Sequence, residues 1–569
     1  MINAYYQQQL ALLRELGTEF GRKYPALAPM LAGQSADPDV ERLIEGTAFL
    51  SGLVQERLDD DFPELVHSLT ELMFPHYLHP IPSSTVIRFS YDADLSVAQL
   101  VPARTELGSV PVEGTSCIYT TIDDVTVYPL DITSQEDRGS EIELNLRFSS
   151  GSLNFFNIDR LRFFVSGEYG DASDVIFDLT THLQYIEIAD EENRIVLDPK
   201  KSLELLVKNK LSVVPCKKHM FQAFRSVQEY FQLPELFCFF NLVDLKKLGS
   251  SSDTFRIRFV FDNLRAEKSR QRSDCNLELY CVPAVNVFDY EAETISLDYH
   301  QSDYKVNPYN GLGHYQVYSV NRVTGFIQGS VNQREYLPFE KFNPQSRPEP
   351  VYSIRRRRSK ISDSNDVYIS VATPSEKNDY RQETLVLSIS CTNGKLTDAL
   401  RLGDICVPND KIPLFIKYTN ITHPTSSAEA PIGRNLLWRL LSHIYLNQNS
   451  MASAEALTSL LKLYIFVDSE NKAQVQMNTR KVECIEKVEE KDITRLISGI
   501  VARGKLINIS FNRDGFASAG DMYIFANVIQ QMLGAYTGIN NFTIVNFCDL
   551  STGKVFTCQQ LQMGSRVIL

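Results

Sequence analysis

The hydrophobic period of this chain changes at Thr85, and no single kind of fold accommodates both halves. Before Thr85 the apolar residues recur at helical spacing. Tyr6, Leu10, Leu13, Gly17, Phe20 and Tyr24 lie alternately four and three residues apart, the a/d seam of a helix over about 4–24. Gly17 weakens that helix by about 1 kcal/mol and lets another backbone come close. Two readings stay open for the seam: an ordinary core face, or a face that docks on a partner helix. Asp37-Pro38-Asp39 then predicts a second helix, with Asp37 as cap, Pro38 in the first turn and Asp39 and Glu41 on the positive end. Val40, Leu43, Thr47, Leu50, Val54 and Leu58 give its apolar face, and Asp59-Asp60-Asp61 should stop it. Pro63 opens a third helix carrying Leu65, Leu69 and Leu72. Pro75, Pro80 and Pro82 follow as a stiff, extended connector, a proline hinge.

After Thr85 apolar and polar residues alternate, as on half-buried strands. Ile87-Phe89-Tyr91 is followed by Ile142 to Phe148, Leu161 to Val165, Phe255 to Phe261, Leu277 to Cys281, Val367 to Val371 and Leu385 to Ile389. A short helix is expected around Val227 to Phe231, ending at Pro234, and a loop from Pro344 to Asp366. Helical spacing returns near Trp438 and over about 453–466. The tail then reads strand (506–511), helix (522–536), strand (542–547). The expected class is α+β multidomain, with β-rich central domains of sandwich or barrel type. The expected segments are a helical region with its hinge (1–82), a β-rich domain (83–210), a β-rich domain with a helical insertion (211–345), a β-rich segment with a basic loop (346–435) and a small α+β domain (436–569). A chain of 569 residues is in any case too long for one core.

Charge and cysteine usage narrow the function. A formal charge of −13, from 57 basic and 70 acidic residues, disfavours binding to a phosphate backbone. Ten cysteines with no C-x-x-C pair read as reduced thiols rather than a disulfide framework. The N-terminus has no basic stretch leading into an apolar one, and no apolar run approaches the ~20 residues that span a bilayer. The expectation is a cytosolic protein with no direct membrane insertion and no nucleic-acid ligand.

Catalytic signatures are missing: there is no G-x-G-x-x-G, phosphate loop, G-x-S-x-G or H-E-x-x-H. His67, His76 and His79 with Glu64 or Glu71 could ligate zinc only if the Pro75 turn folded back. Asp59-Asp60-Asp61 lacks the glycine turn and distal acid of a calcium loop. No catalytic residue, metal or cofactor is therefore expected. The run Arg355-Arg356-Arg357-Arg358-Ser359-Lys360 is the remaining candidate, as a solvated loop, a docking surface for an acidic partner or a phosphate contact.

Read end to end, the chain resembles the TssF family (also ImpG or VasA), a baseplate component of bacterial type VI secretion. The resemblance rests on an ordered series of blocks: Tyr5-Tyr6-Gln7-Gln8-Gln9-Leu10, Tyr24-Pro25-Ala26-Leu27-Ala28-Pro29, Phe62-Pro63-Glu64-Leu65, Pro75-His76-Tyr77-Leu78-His79-Pro80, Val127-Tyr128-Pro129-Leu130, Cys281-Val282-Pro283-Ala284-Val285-Asn286, Trp438-Arg439-Leu440-Leu441 and Ile539-Asn540-Asn541-Phe542-Thr543. Val101-Pro102-Ala103-Arg104-Thr105 departs from the family pattern, and 201–225 and 470–505 match poorly. The resemblance implies a non-enzymatic wedge protein. Two copies would clasp one TssG-like chain, with a TssE-like sheath initiator, trimers of a TssK-like adaptor that lead to the membrane complex, and a central spike hub. The wedges would prime assembly of the tail tube and sheath, hold as a ring and open on firing. Within that expectation the 4–24 seam goes to a heteromeric helical bundle, and self-association goes to the tail, through the 522–536 helix or an edge strand. The weighed alternatives are the equivalent wedge of a phage or extracellular contractile particle, a β-rich binding module, and a glycoside hydrolase with paired carboxylates in a cleft.

Overall fold

The computed structural model describes residues 6–7, 9–14, 16, 38–60, 70, 75–92, 95–205, 224–262, 275–298, 300–310, 313–327, 333–339, 350–359, 364–372, 383–430, 453–466, 471–497, 500–535, 537, 541–553, 555–557 and 562–563. The chain divides into two compact units, one of Met1–Leu72 with Gly433–Leu440 and one of Met73–Ile432 with Leu441–Leu569.

In the first unit the helix Pro38–Asp60 begins and ends where the proline and the acidic triplet place its limits, with Asp39 and Glu41 in its first turn. Its packed face differs from the expected one. Ala48 and Gly52 are buried and Val40, Ile44 and Ser51 half-buried, whereas Leu43, Thr47 and Leu50 point outward. Tight helix packing favours the small residues of this helix over its leucines. The expected third helix falls on residues that, apart from Thr70, lie outside the described ones.

The described part of the proline segment is packed into the second unit. Pro75 opens a helical turn, Pro75–Leu78, and Tyr77 to Pro82 are all buried. Ile81 exchanges both backbone hydrogen bonds with Ala428, at 2.7 and 3.0 Å. Tyr77 packs against Tyr464 and Phe466, with ring centroids 6.1 and 5.9 Å away. Proline suits this burial because it carries no N–H that would need a partner.

The body of the second unit is three sheets around one core. The first runs in the order Ile416–Asn420, Ser84–Tyr91, Cys281–Val285, Thr115–Thr121, Glu106–Val112. The second orders Arg194–Leu197, Leu183–Ala189, Thr254–Phe261, Glu141–Phe148 and Leu130–Asp137, and the third joins Leu203–Leu205, Phe239–Val243, Arg160–Ser166 and Asn276–Leu279. Alternation does what the sequence pattern requires. Phe255, Ile257, Phe259 and Phe261 all point inward, each worth about 1.5–3 kcal/mol of burial. Residues from Val86 to Tyr418 share this core, so the sheets cross the boundary expected at 210/211: Glu141–Phe148 pairs with Thr254–Phe261.

A second β layer with its own core, Phe288 to Cys391, is inserted into the body. Its long strands Gln316–Ile327 and Glu383–Thr392 pair, and Gln333–Pro338 pairs with Val351–Arg358 across the boundary expected at 345/346. Asn286 stands where the chain enters this layer and Asn393 where it leaves. The two are 1% and 3% exposed. The Asn286 amide donates to Asn393 Oδ1 (2.8 Å) and Ile118 O (2.8 Å), and the Asn393 N–H donates to Asn286 Oδ1 (2.7 Å). Both crossings are thereby stapled to each other and to the Thr115–Thr121 strand.

The C-terminal part is α+β. Ser453 caps the helix Ala454–Lys462, its hydroxyl accepting from the Ala456 N–H at 3.2 Å. A long antiparallel hairpin, Ile485–Ile497 with Ile500–Phe511, precedes the helix Ala519–Ala535 and the strand Asn541–Asp549. Ile500–Phe511 and Asn541–Asp549 are parallel, which demands a crossover that the helix supplies. Strand, helix and strand were legible in this tail. The helices Lys472–Glu483 and Tyr169–Thr181 and the first hairpin strand were not.

The helix Ala519–Ala535 is covered on nearly every side. It crosses both its own sheet and the body helices Tyr169–Thr181 and Arg225–Gln232. At its start the Gly520 N–H donates to Asp174 Oδ1 (2.7 Å), and the hydroxyls of Ser173 and Ser518 lie 2.9 Å apart. Asp521, fully buried, meets Lys481 Nζ at 2.9 Å and accepts from the hydroxyls of Tyr169 (2.9 Å) and Tyr230. Burial beside this carboxylate pushes both tyrosine hydroxyls well above their ordinary range.

Candidate assembly surfaces

The seam residues fall partly within the described structure. Tyr6, Leu10 and Leu13 are helical and half-buried, while Gly17, Phe20 and Tyr24 lie outside the described residues. Arg14 on the same helix forms an ion pair with Glu41 at 2.9 Å, tying it to the Pro38–Asp60 helix. Apolar surface is open on the second helix, as it is at Leu12 and Leu16 of the first. Leu43 is 70% exposed, Leu50 63% and Phe49 46%, and a Cβ on Gly46 would meet nothing within 4 Å. Leu43, Gly46 and Leu50 are spaced by three and four residues, so this is one continuous stripe on one face. The signal was present in the sequence as the 40/43/47/50 pattern. Periodicity alone does not say which side of an amphipathic helix a partner covers.

The basic run is not a loop. Val351–Arg358 is a strand, in antiparallel register with Asn365–Ala372 from Val351↔Ala372 to Arg358↔Asn365. Val351-Tyr352-Ser353-Ile354 is a good β-former, and long arginine stems lie along a sheet as well as any apolar side chain. The four guanidiniums have different surroundings. Arg356 is buried, 5% exposed, and donates to Tyr318 O at 2.8 Å. Arg355 and Arg357 both reach Asp303, at 3.5 and 2.8 Å, and Arg357 also stands 5.3 Å over the Tyr368 ring. Arg358 is exposed at the strand end. Much of the run's charge is therefore met within the chain, and Arg357 and Arg358 are what it presents outward.

The other candidates do not converge. His79 is buried with its ring 4.9 Å from Tyr318, and His67 with Glu64 and Glu71 lies outside the described residues. Among the described residues no three His, Cys, Asp or Glu side chains come together as a metal site, and no helix is long and apolar enough to cross a membrane. On the tail, the 519–535 helix has no free face to offer a second copy. The hairpin strand Ile485–Ile497 is a sheet edge in the described structure, and at its far end Leu496 and Val501 are opposite each other and 71% and 69% exposed.

Comparison with known proteins covers the whole of this architecture. The family model described as Type VI secretion system, TssF matches residues 1–566. The type VI secretion system component TssF1 of Pseudomonas aeruginosa is 26% identical over 632 aligned residues, covering 99% of this chain and 98% of that protein. A chain in a TssK-TssF-TssG baseplate subcomplex of the type VI secretion system, solved by cryo-electron microscopy, superimposes with a TM-score of 0.77 at 26% identity, covering 93% of this chain and 99% of that one. A chain of a type VI secretion baseplate complex shares the fold at a TM-score of 0.64 and 23% identity over the full length of both.

Proposed function

The chain belongs to the TssF family of the type VI secretion system, and from that premise we propose how it serves as a wedge subunit of the secretion baseplate. The observation that carries this reading is the correspondence of 93% of the chain with a chain in a TssK-TssF-TssG subcomplex. The work of the protein is mechanical and non-enzymatic. Two copies clasp one TssG-like chain, and TssK-like trimers connect the wedge to the cytoplasmic face of the inner membrane. A TssE-like initiator and the spike hub complete the contacts from which tube and sheath grow.

The surfaces divide by chemistry. The N-terminal helices are the heteromeric contact: the seam of Tyr6, Leu10, Leu13, Gly17, Phe20 and Tyr24 together with the open stripe of Leu43, Gly46 and Leu50. An apolar stripe on a helix is stable in water only when a partner covers it. Arg355, Arg356, Arg357 and Arg358 form the second contact, Arg357 and Arg358 facing an acidic partner and Arg356 anchoring the strand. Self-association uses the Ile485–Ile497 strand, a sheet edge among the described residues.

Co-expression with the TssG-like protein, followed by native mass spectrometry, tests the reading. A complex with two copies of this chain per partner is expected. A chain that stays monomeric beside a folded partner overturns it. Leu13→Asp locates the contact, because an acid buried in a helical interface costs several kcal/mol. A complex that survives the substitution removes the seam from the interface.

A further inference from the structure

We infer that the joint between the C-terminal α+β part and the β body stays closed throughout the working cycle, so that this chain carries load across it as one piece. The inference rests on the wedge reading above and concerns the contact of the Ala519–Ala535 helix with the Tyr169–Thr181 and Arg225–Gln232 helices. Packed helices ordinarily move by sliding a small distance or by separating. Both routes are blocked here.

Sliding is blocked by fit and by charge. A Cβ on Gly520 would stand 2.1 Å from Ser173 O, so the two backbones already touch and no bulkier residue can pass that point. Asp521 is 0% exposed and holds four donors at once: Lys481 Nζ, the Tyr169 and Tyr230 hydroxyls, and the Ala517 N–H at 3.1 Å. A shift of one turn, about 5.4 Å, would draw Asp521 and Lys481, which both belong to the C-terminal part, away from the Tyr169 and Tyr230 hydroxyls that the body supplies. A buried polar cluster of this kind favours one register, because every other register takes the two tyrosine hydroxyls from the buried pair. Separation is blocked by area. Tyr523 packs on Phe177 and Phe525 on Tyr230 and Phe231, with ring centroids 5.2, 5.3 and 6.3 Å apart, and parting the helices would uncover these rings. The opening of a baseplate ring on firing must then occur between chains or elsewhere in this one.

The test uses the full-length chain carrying Ser173→Cys and Ser518→Cys, whose hydroxyls are 2.9 Å apart, with Cys406→Ser to remove an exposed thiol. The single-cysteine variants are the controls. Oxidation with diamide should close the bond in the free chain and in the TssG-like complex, and leave complex formation and type VI secretion unchanged. Secretion or assembly lost on oxidation and regained on reduction means that the joint opens, and sinks the inference. So does failure of the bond to form in the folded free chain. If the wild-type chain itself neither binds the partner nor supports secretion, the wedge reading fails instead. Hydrogen exchange on the unsubstituted protein is independent of whether the cysteine variants fold. The amides of Ala519–Ala535 should exchange no faster than those of Thr254–Phe261, and rapid collective exchange of that helix with the strand still protected would show an open joint.

Discussion

Glu429 is a half-buried carboxyl between the body and the inserted layer. It accepts from Gln316 Nε2 at 2.6 Å and Asn365 Nδ2 at 3.0 Å, both on the inserted β layer. Burial nevertheless pushes its pKa above the ordinary glutamate value, outweighing the two amides that favour the charged form. A carboxyl raised in this way binds its proton more tightly folded than unfolded. Its contribution to stability is fully present below the ordinary glutamate range and is lost as pH rises through the raised folded value. Glu429→Gln removes the titration. The melting temperature of the variant relative to wild type should therefore become more favourable between about pH 5 and pH 7.5, as thermal scans across that range will read. A difference that does not move with pH would show that Glu429 carries no desolvation cost. At this scale the sequence is least informative. Nothing in Arg355-Arg356-Arg357-Arg358 distinguishes the buried second guanidinium from the exposed fourth, because Asp303, Tyr318 and Tyr368 converge on them only through the sheet.

Helices show how contact overrides propensity. In an isolated helix Gly520→Ala would stabilise by up to about 1 kcal/mol. Here the new methyl would meet the Ser173 carbonyl at 2.1 Å and the Asp174 nitrogen at 2.4 Å, both of them backbone atoms that cannot rotate away. The sign reverses, and urea unfolding should show a loss of about 1–3 kcal/mol or more. A variant as stable as its parent would mean that the two helices are not seated as described. The opposite behaviour belongs to the Pro38–Asp60 helix. Leu43→Asp with Leu50→Asp changes side chains 70% and 63% exposed, so stability should stay within about ±0.5 kcal/mol per site while capture by the TssG-like partner is lost. Retained capture would assign the stripe to solvent. Elements with a strong local period were legible in advance: the limits of this helix, the strands at 84–91, 141–148 and 254–261, and the helix and parallel strand of the tail. Tyr169–Thr181 and Lys472–Glu483 were not, since their polar faces are spent on contacts with distant segments, such as Asn478 Nδ2 donating to Phe231 O at 3.0 Å. Which face of Pro38–Asp60 packs inward was not legible for a related reason: a stripe that awaits a partner has the same spacing as a stripe that faces a core.

At the scale of the whole molecule the chain is cut and rejoined more often than its sequence suggests. Consecutive blocks at 83–210, 211–345 and 346–435 give way to a body closed by Ile416–Asn420, which pairs with Ser84–Tyr91 more than three hundred residues earlier, and to an insertion held within it. Strand periodicity reports that a segment is a strand and which face is buried, but it carries no information about a partner that far away. The Asn286–Asn393 staple makes the consequence measurable. Both side chains lie at the two crossings and tie the insertion to the body by hydrogen bonds, beside the apolar contact of Ile118 with the insertion core. Hydrophobic replacement of one partner strands the other: Asn286→Leu leaves the Asn393 N–H and Ile118 O without their acceptor and donor, at about 1–3 kcal/mol for each buried group left unmade. In the wild-type chain, body and insertion should melt together, because the staple couples two separate cores. With Asn286→Leu or Asn393→Leu the cores remain intact while the coupling is cut, and calorimetry should then resolve the insertion as a separate, earlier transition. The substitutions touch neither core, so an unchanged single transition would show that the two layers are coupled by something other than these amides, and the strap at 421–430, where Thr425 N–H donates to Ser84 O at 2.9 Å and Glu429 grips the insertion, would be the next joint to cut.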